Sequence, residues 1–107
     1  MTHSALEFRI ARAVSVSVTP DMLEVALDDG RAIAAPLAWF PRLLHGTDEE
    51  RSHARLIGQG EGIHWPDLDE DISMEALLAG RPSAESAASL KRWLAGRNGD
   101  AEDRGKT

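Results

Sequence analysis

The chain has no cysteine and no tyrosine among its 107 residues, and it has only two phenylalanines and three tryptophans. Without cysteine, disulfides, thiolate zinc sites and a cysteine nucleophile are all excluded. With so few rings, the core must be built mainly from Leu, Ile, Val and Ala. Long apolar runs are lacking as well: no stretch approaches the roughly 18 residues of a membrane span. At the N-terminus, "MTHSALEFRIARAVSV", Glu7 and Arg9 fall where a signal peptide needs an unbroken apolar run. The plain expectation is a soluble cytoplasmic protein with no membrane partner.

What is there suits one domain. The length allows a single core but not two, and 42% hydrophobic with 28% charged residues is ordinary for a folding chain. The net charge of −6 is unevenly placed. Between Gly46 and Glu75 nine acids stand against Arg51 and Arg55, a local balance of −7 that leaves the remainder near neutral. Nucleic-acid binding is driven largely by neutralising phosphates, so this middle opposes it and suits a basic protein partner better.

Periodicity gives the first third. In "AVSVSVT", Val14, Val16 and Val18 alternate with Ser15, Ser17 and Thr19, the period of a half-buried strand. "LEVAL" then turns Leu23, Val25 and Leu27 inward, Asp29-Gly30 predicts a type I′ hairpin, and "RAIAAP" returns as a third strand. An apolar face needs a cover. In "PLAWFPRLLH" two prolines forbid a long helix. Thr47 and Glu50 form a capping box for a helix in which Ala54 and Ile57 share the buried side and Arg51 and Arg55 another. In "GIHW" Ile63 and Trp65 take one face and His64 the other. Ser73 caps a short helix with Ile72 and Leu77 at the staple positions; Gly80 ends it. Ser83 caps a final helix bearing Ala87, Leu90, Trp93 and Leu94, with Gly96 as its stop. The expected architecture is α+β: a three-stranded antiparallel meander plus a short fourth strand, covered by three or four short helices. It comprises an arm over 1–12, a domain over 13–96 and a disordered tail over 97–107.

"GIHWPDLDEDIS" is the stretch richest in potential chemistry, with His64, Trp65, Asp67, Asp69, Glu70 and Asp71 close together. Asp67, Asp69 and Asp71 alternate like the start of an EF-hand calcium loop, but Ile72 stands where the loop needs glycine and Leu78 where it needs a bidentate glutamate. The paired-histidine spacing of hydrolytic zinc sites is missing. The structural reading has these aspartates accept backbone N–H groups of the loop and of the helix start, while Ile63, Trp65, Leu68 and Ile72 anchor it. No G-x-S-x-G elbow occurs, and "GQGEG" lacks the Lys-Ser/Thr of a phosphate-binding loop. Trp39, Phe40 and Trp65 are expected in the core.

Three function classes stay open. The favoured one is a non-enzymatic protein-interaction module, with no metal or cofactor, that meets its partner through His64, Trp65, Asp67, Asp69, Glu70 and Asp71. Its partner would be a second copy or a small neighbour-encoded protein. The second is a DNA-binding regulator contacting DNA through Lys91, Arg92 and Arg97 of the last helix. The third is a metal-dependent enzyme using His64 with Asp67, Asp69 or Asp71.

The blocks "DDGR", "PLAWFPRLLHGTDEER" and "GQGEGIHWPDLDEDISMEALLAGRP" resemble the bacterial domain-of-unknown-function family 2442 over roughly residues 13–82. The resemblance implies a small α+β domain with a meander and short helices. It implies no catalytic residue. Some relatives carry a C-terminal helix-turn-helix, from which this chain departs, and small members lie beside another small protein in a manner similar to toxin–antitoxin pairs.

Overall fold

The computed structural model describes residues 10–106, with side chains as far as Arg97. Strands β1 (Ala13–Val18), β2 (Met22–Leu27) and β3 (Ala32–Pro36) form the expected meander in the order β1-β2-β3, both pairs antiparallel. Leu23, Val25 and Leu27 face the core. Two local details differ from the simple alternation. The register shifts between Ala13 and Ser15, so Ala13 turns inward and Val14 is 55% exposed, while Val16 and Val18 keep their packing on the core. A bulge adds one residue to one strand and so exchanges the faces on either side of it. At the hairpin only Gly30 has positive φ, and the Gly30 N–H donates to the Leu27 carbonyl. The connection is therefore a three-residue loop closed by a left-handed glycine, not the type I′ turn expected from Asp29-Gly30.

After a 3-10 turn at Leu37–Trp39 comes α1 (Pro41–Leu44), then α2 (Asp48–Ser52). The capping box on α2 is complete: Thr47 Oγ1 accepts from the Glu50 N–H at 3.1 Å, and the Thr47 N–H donates to Glu50 Oε1 at 2.8 Å. The helix is much shorter than its sequence suggested. Arg55–Ile57 is instead strand β4, antiparallel to β5 (Gly62–Trp65), which pairs in turn with β6 (Glu70–Ser73). Cross-strand pairing satisfies the backbone of β5 on both sides, and this tertiary demand overrides the weak local preference for helix. Arg55 thus stands across from His64 rather than beside Arg51, and Ile57 is 43% exposed.

Both sheets close on one core, in which Trp65, Ile63, Leu68, Leu23, Leu37, Leu43 and Met74 are almost wholly removed from solvent. Phe40 joins them and Trp39 packs at the edge. The seam between the sheets depends on Gly60, which has φ +92 and sits so close to β1 that a Cβ there would lie 2.3 Å from the Ala13 carbonyl oxygen. Only glycine can occupy that spot.

Helix α3 (Met74–Leu78) follows β6 directly, with Ser73 Oγ accepting from the Ala76 N–H and with Ile72 and Leu77 both buried. Helix α4 (Ala87–Lys106) begins later than expected: Ser86 is its cap, accepting from the Ser89 N–H, whereas Ser83 accepts from the Glu85 N–H and donates its own N–H to the Trp39 carbonyl. It also runs on through Gly96, and the segment expected as a tail from 97 is helical to Lys106. Glycine inside a helix costs about 1 kcal/mol relative to alanine but ends it only by turning left-handed, and Gly96 does not. Of the arm expected over 1–12, residues 1–9 lie outside the described residues; Ala11 is buried and the Arg12 N–H donates to Asp28 Oδ1.

Candidate functional site

The hairpin between β5 and β6 carries the acidic stretch. Its loop, Pro66 to Asp69, is closed by the Leu68 N–H donating to the Trp65 carbonyl and needs Asp69 at φ +51, a left-handed conformation that aspartate tolerates better than most residues. Leu68 plugs the loop into the core.

The three aspartates diverge. Asp67 Oδ2 lies 2.5 Å from His53 Nδ1, Asp69 Oδ2 lies 3.6 Å from Arg42 Nη1, and Asp71 Oδ1 lies 2.5 Å from His64 Nδ1 across the β5–β6 pair. Each thus meets a different basic side chain, not the loop N–H groups expected of it; the Ser73 helix start is capped by Ser73 itself. Among the described residues no three His, Asp or Glu side chains are gathered as metal ligands would be. His64 and Asp71 are together; Asp67 and Asp69 are turned elsewhere.

Two residues of the expected partner surface lie inside the protein. Trp65 is fully buried, its Nε1 donating to the Arg51 carbonyl at 3.0 Å, and Glu70 is 9% exposed. Neither can touch a partner without unfolding the hairpin. The reason is parity: Ile63 and Trp65 on β5, and Glu70 and Ile72 on β6, share the inward face, while His64 and Asp71 share the outward one.

Glu70 belongs to a charged cluster that the sequence did not reveal. Arg42 holds Glu85 through Nε at 2.9 Å and Nη2 at 2.7 Å, and its Nη1 donates to the Asp69 carbonyl at 3.2 Å. Ser89 Oγ donates to the same Glu85. These bonds hold the Glu85 carboxyl below its ordinary range, the Arg42 guanidinium contributing most. Glu70 receives no such support: burial, then the neighbouring Glu85 charge, pushes its carboxyl up to about 7 against the opposing pull of Arg42. The only signal for this was the β alternation of "EDIS", which places Glu70 beside Ile72 once 70–73 is read as a strand.

The nucleic-acid candidates separate too. Arg97 is engaged, its Nη2 donating to Glu50 Oε1 at 2.8 Å and its guanidinium lying 4.7 Å from the Trp93 ring centre. This contact holds Glu50 below its usual value. Lys91 and Arg92 are exposed. Arg51, at the other end of the acidic segment, pairs with Asp48 and donates to the Leu43 and Leu44 carbonyls that end α1.

Comparison with solved structures gives a crystal structure of a protein of unknown function from Rhodospirillum rubrum, 27% identical, covering 77% of this chain and 99% of that one with a TM-score of 0.62. It also gives a solution NMR structure of an uncharacterised protein from Chromobacterium violaceum, 23% identical, covering 80% of this chain and 75% of that one, TM-score 0.59. The second likeness bears on fold alone. None of the curated proteins matches the chain. Residues 13–83, about two thirds of the sequence, match the family described as "Protein of unknown function (DUF2442)", which covers both sheets and the helices up to α3, and the chain belongs to that family.

Proposed function

We propose that the chain is a non-enzymatic protein-interaction module that receives a basic protein partner on the β5–β6 hairpin. The observation that carries this reading is the divergence of Asp67, Asp69 and Asp71. Each is drawn to its own base, yet their side chains keep 40%, 86% and 67% of their surface exposed. Carboxylates that fan outward from a rigid, core-anchored turn present negative potential over an area; carboxylates serving an ion or a reacting bond converge on a point. Such a surface steers and selects an Arg- or Lys-bearing partner. In this reading the partner is encoded nearby, in the manner of a toxin and its antitoxin.

The alternatives have less support. A DNA contact through α4 would rest on Lys91 and Arg92, since Arg97 is tied to Glu50. A metal site at His64 would start from the His64–Asp71 pair, and among the described residues no third ligand is gathered with it.

Affinity purification from the source cells, followed by mass spectrometry at low and high salt, tests the proposal. Recovery of one small basic protein, lost at high salt and reduced at least tenfold by Asp67→Asn with Asp69→Asn, is the expected result. A partner retained equally by the double variant would remove the hairpin from the interface.

A further inference from the structure

The outward face of the second sheet is ordered in rows. Arg55, His64 and Asp71 are successive cross-strand partners on β4, β5 and β6, and beside them Ile57, Gly62 and Ser73 form a second row. Both rows lie on the face opposite Ile63, Trp65, Glu70 and Ile72, which are buried in the core. Arg55 is exposed and, among the described residues, makes no ion pair or side-chain hydrogen bond, although a carboxylate stands two strands away. Ile57 is 43% exposed. Where Gly62 supplies no side chain, a shallow depression of about 270 Å³ opens among Ile57, Gly58, Glu61, Asp71 and Ser73.

We propose that this face docks on the same face of a second copy of the chain. The argument is its charge order. Strands lie about 4.8 Å apart, so Arg55 and Asp71 sit about 10 Å from one another with His64 midway. Consider a two-fold axis in the plane between two such faces, running along β5. It sets Arg55 of one copy over Asp71 of the other, and Asp71 over Arg55, because a two-fold interface is self-complementary. The same operation sets Ile57 of each copy over Ser73 of the other, beside the hollow at Gly62. Asp71 uses Oδ1 for His64, which leaves Oδ2 for the incoming guanidinium. Two sheets packing face to face at about 10 Å accommodate side chains of this size. The ion pairs set register, and the Ile57 rows and the flanking surface supply most of the affinity. Asp71 is common to this face and to the hairpin surface proposed above, but Asp67 and Asp69, the residues by which the basic partner is tested, lie outside these rows, so the two proposals fail separately.

Sedimentation equilibrium on the full chain tests it, with Arg55→Asp and Asp71→Arg made separately and each checked for folding by its thermal transition. The wild type is expected to dimerise at about 100 µM, and each reversal to weaken the dimer at least tenfold, because each places like charges together twice. Mixing the two variants is expected to restore a dimer, now between unlike chains, since both contacts become attractive. Ile57→Glu, which leaves every ion pair in place, is expected to weaken it as well. A wild type that stays monomeric up to about 1 mM, or a dimer indifferent to both reversals, or a mixture that fails to reassociate, would overturn the proposal.

Discussion

At the scale of single residues the informative side chain is Glu70. Burial, and then the neighbouring Glu85 charge, raise its carboxyl to about 7 against the pull of Arg42, whose hydrogen bonds go to Glu85. A carboxyl whose value is raised on folding favours the folded state while protonated and opposes it once ionised. The penalty is absent below the unfolded value near 4.5, grows as pH rises, and is complete above about 7. Glu70→Gln is therefore expected to stabilise the protein at pH 8 by about 1–3 kcal/mol, with the gain falling to nearly nothing by pH 4. Urea unfolding of both proteins across that range measures it, and a gain that did not depend on pH would contradict the cause given. Glu85 and Glu50 have the opposite sign, being held low by arginines. Their contribution is present above the usual carboxylate range and is lost as pH falls through their folded values. None of this was readable from the acid count, since burial, not composition, distinguishes Glu70 from Asp69 beside it.

At the scale of elements, the last helix is the one whose attachment can be tested through a single side chain. Within α4 the described contacts to the body run through Trp93, which packs on the core edge with the Arg42 and Arg97 guanidinium groups 5.0 and 4.7 Å from its ring centre, and through the bonds of Ser89 to Glu85 and of Arg97 to Glu50. A cation over an indole contributes about 0.5–2 kcal/mol, more where water is excluded. Trp93→Ala is expected to raise amide exchange over residues 87–97 at least tenfold while leaving β1, β2 and β3 protected. Uniform loss of protection would show that the helix is part of the central cooperative unit. The sequence was legible here wherever a local device sufficed. The Thr47 capping box, the Ser73 cap with Ile72 and Leu77 buried on either side of it, and the alternation in "LEVAL" and "GIHW" all appear as read. It failed where a distant segment decided. Ala54 and Ile57 have helical spacing, yet β5 takes 55–57 as a partner; Ser83 looks like a cap, yet it is used to bind Trp39.

For the molecule as a whole, one apolar cluster spans both sheets and α3. Within it Trp65 from the second sheet and Leu68 from its hairpin loop join Leu23 and Val25 from the first sheet and Leu37 from the turn that follows it. A shared core of this kind unfolds in one step. Far-ultraviolet and near-ultraviolet circular dichroism are expected to give coincident urea transitions for the body of the protein. A meander that outlived the second sheet would separate the two curves. The candidate surface was half legible at this scale. Its residues are in the sequence, but whether they converge depends on which face of the hairpin each occupies, and that is settled by the pairing of β5 with β4 and β6.

The close approach at Gly60 fixes chain length as well as chemistry. With the Ala13 carbonyl oxygen 2.3 Å from where a Cβ would stand, the connector between β4 and β5 cannot drift by one position. An insertion or deletion there would bring Gln59 or Glu61 to the place where no side chain fits, and the two sheets would be pried apart along their shared edge. The four residues from Gly58 to Glu61 therefore act as a spacer of set length, and natural variation in loop size has to be accommodated elsewhere on the surface.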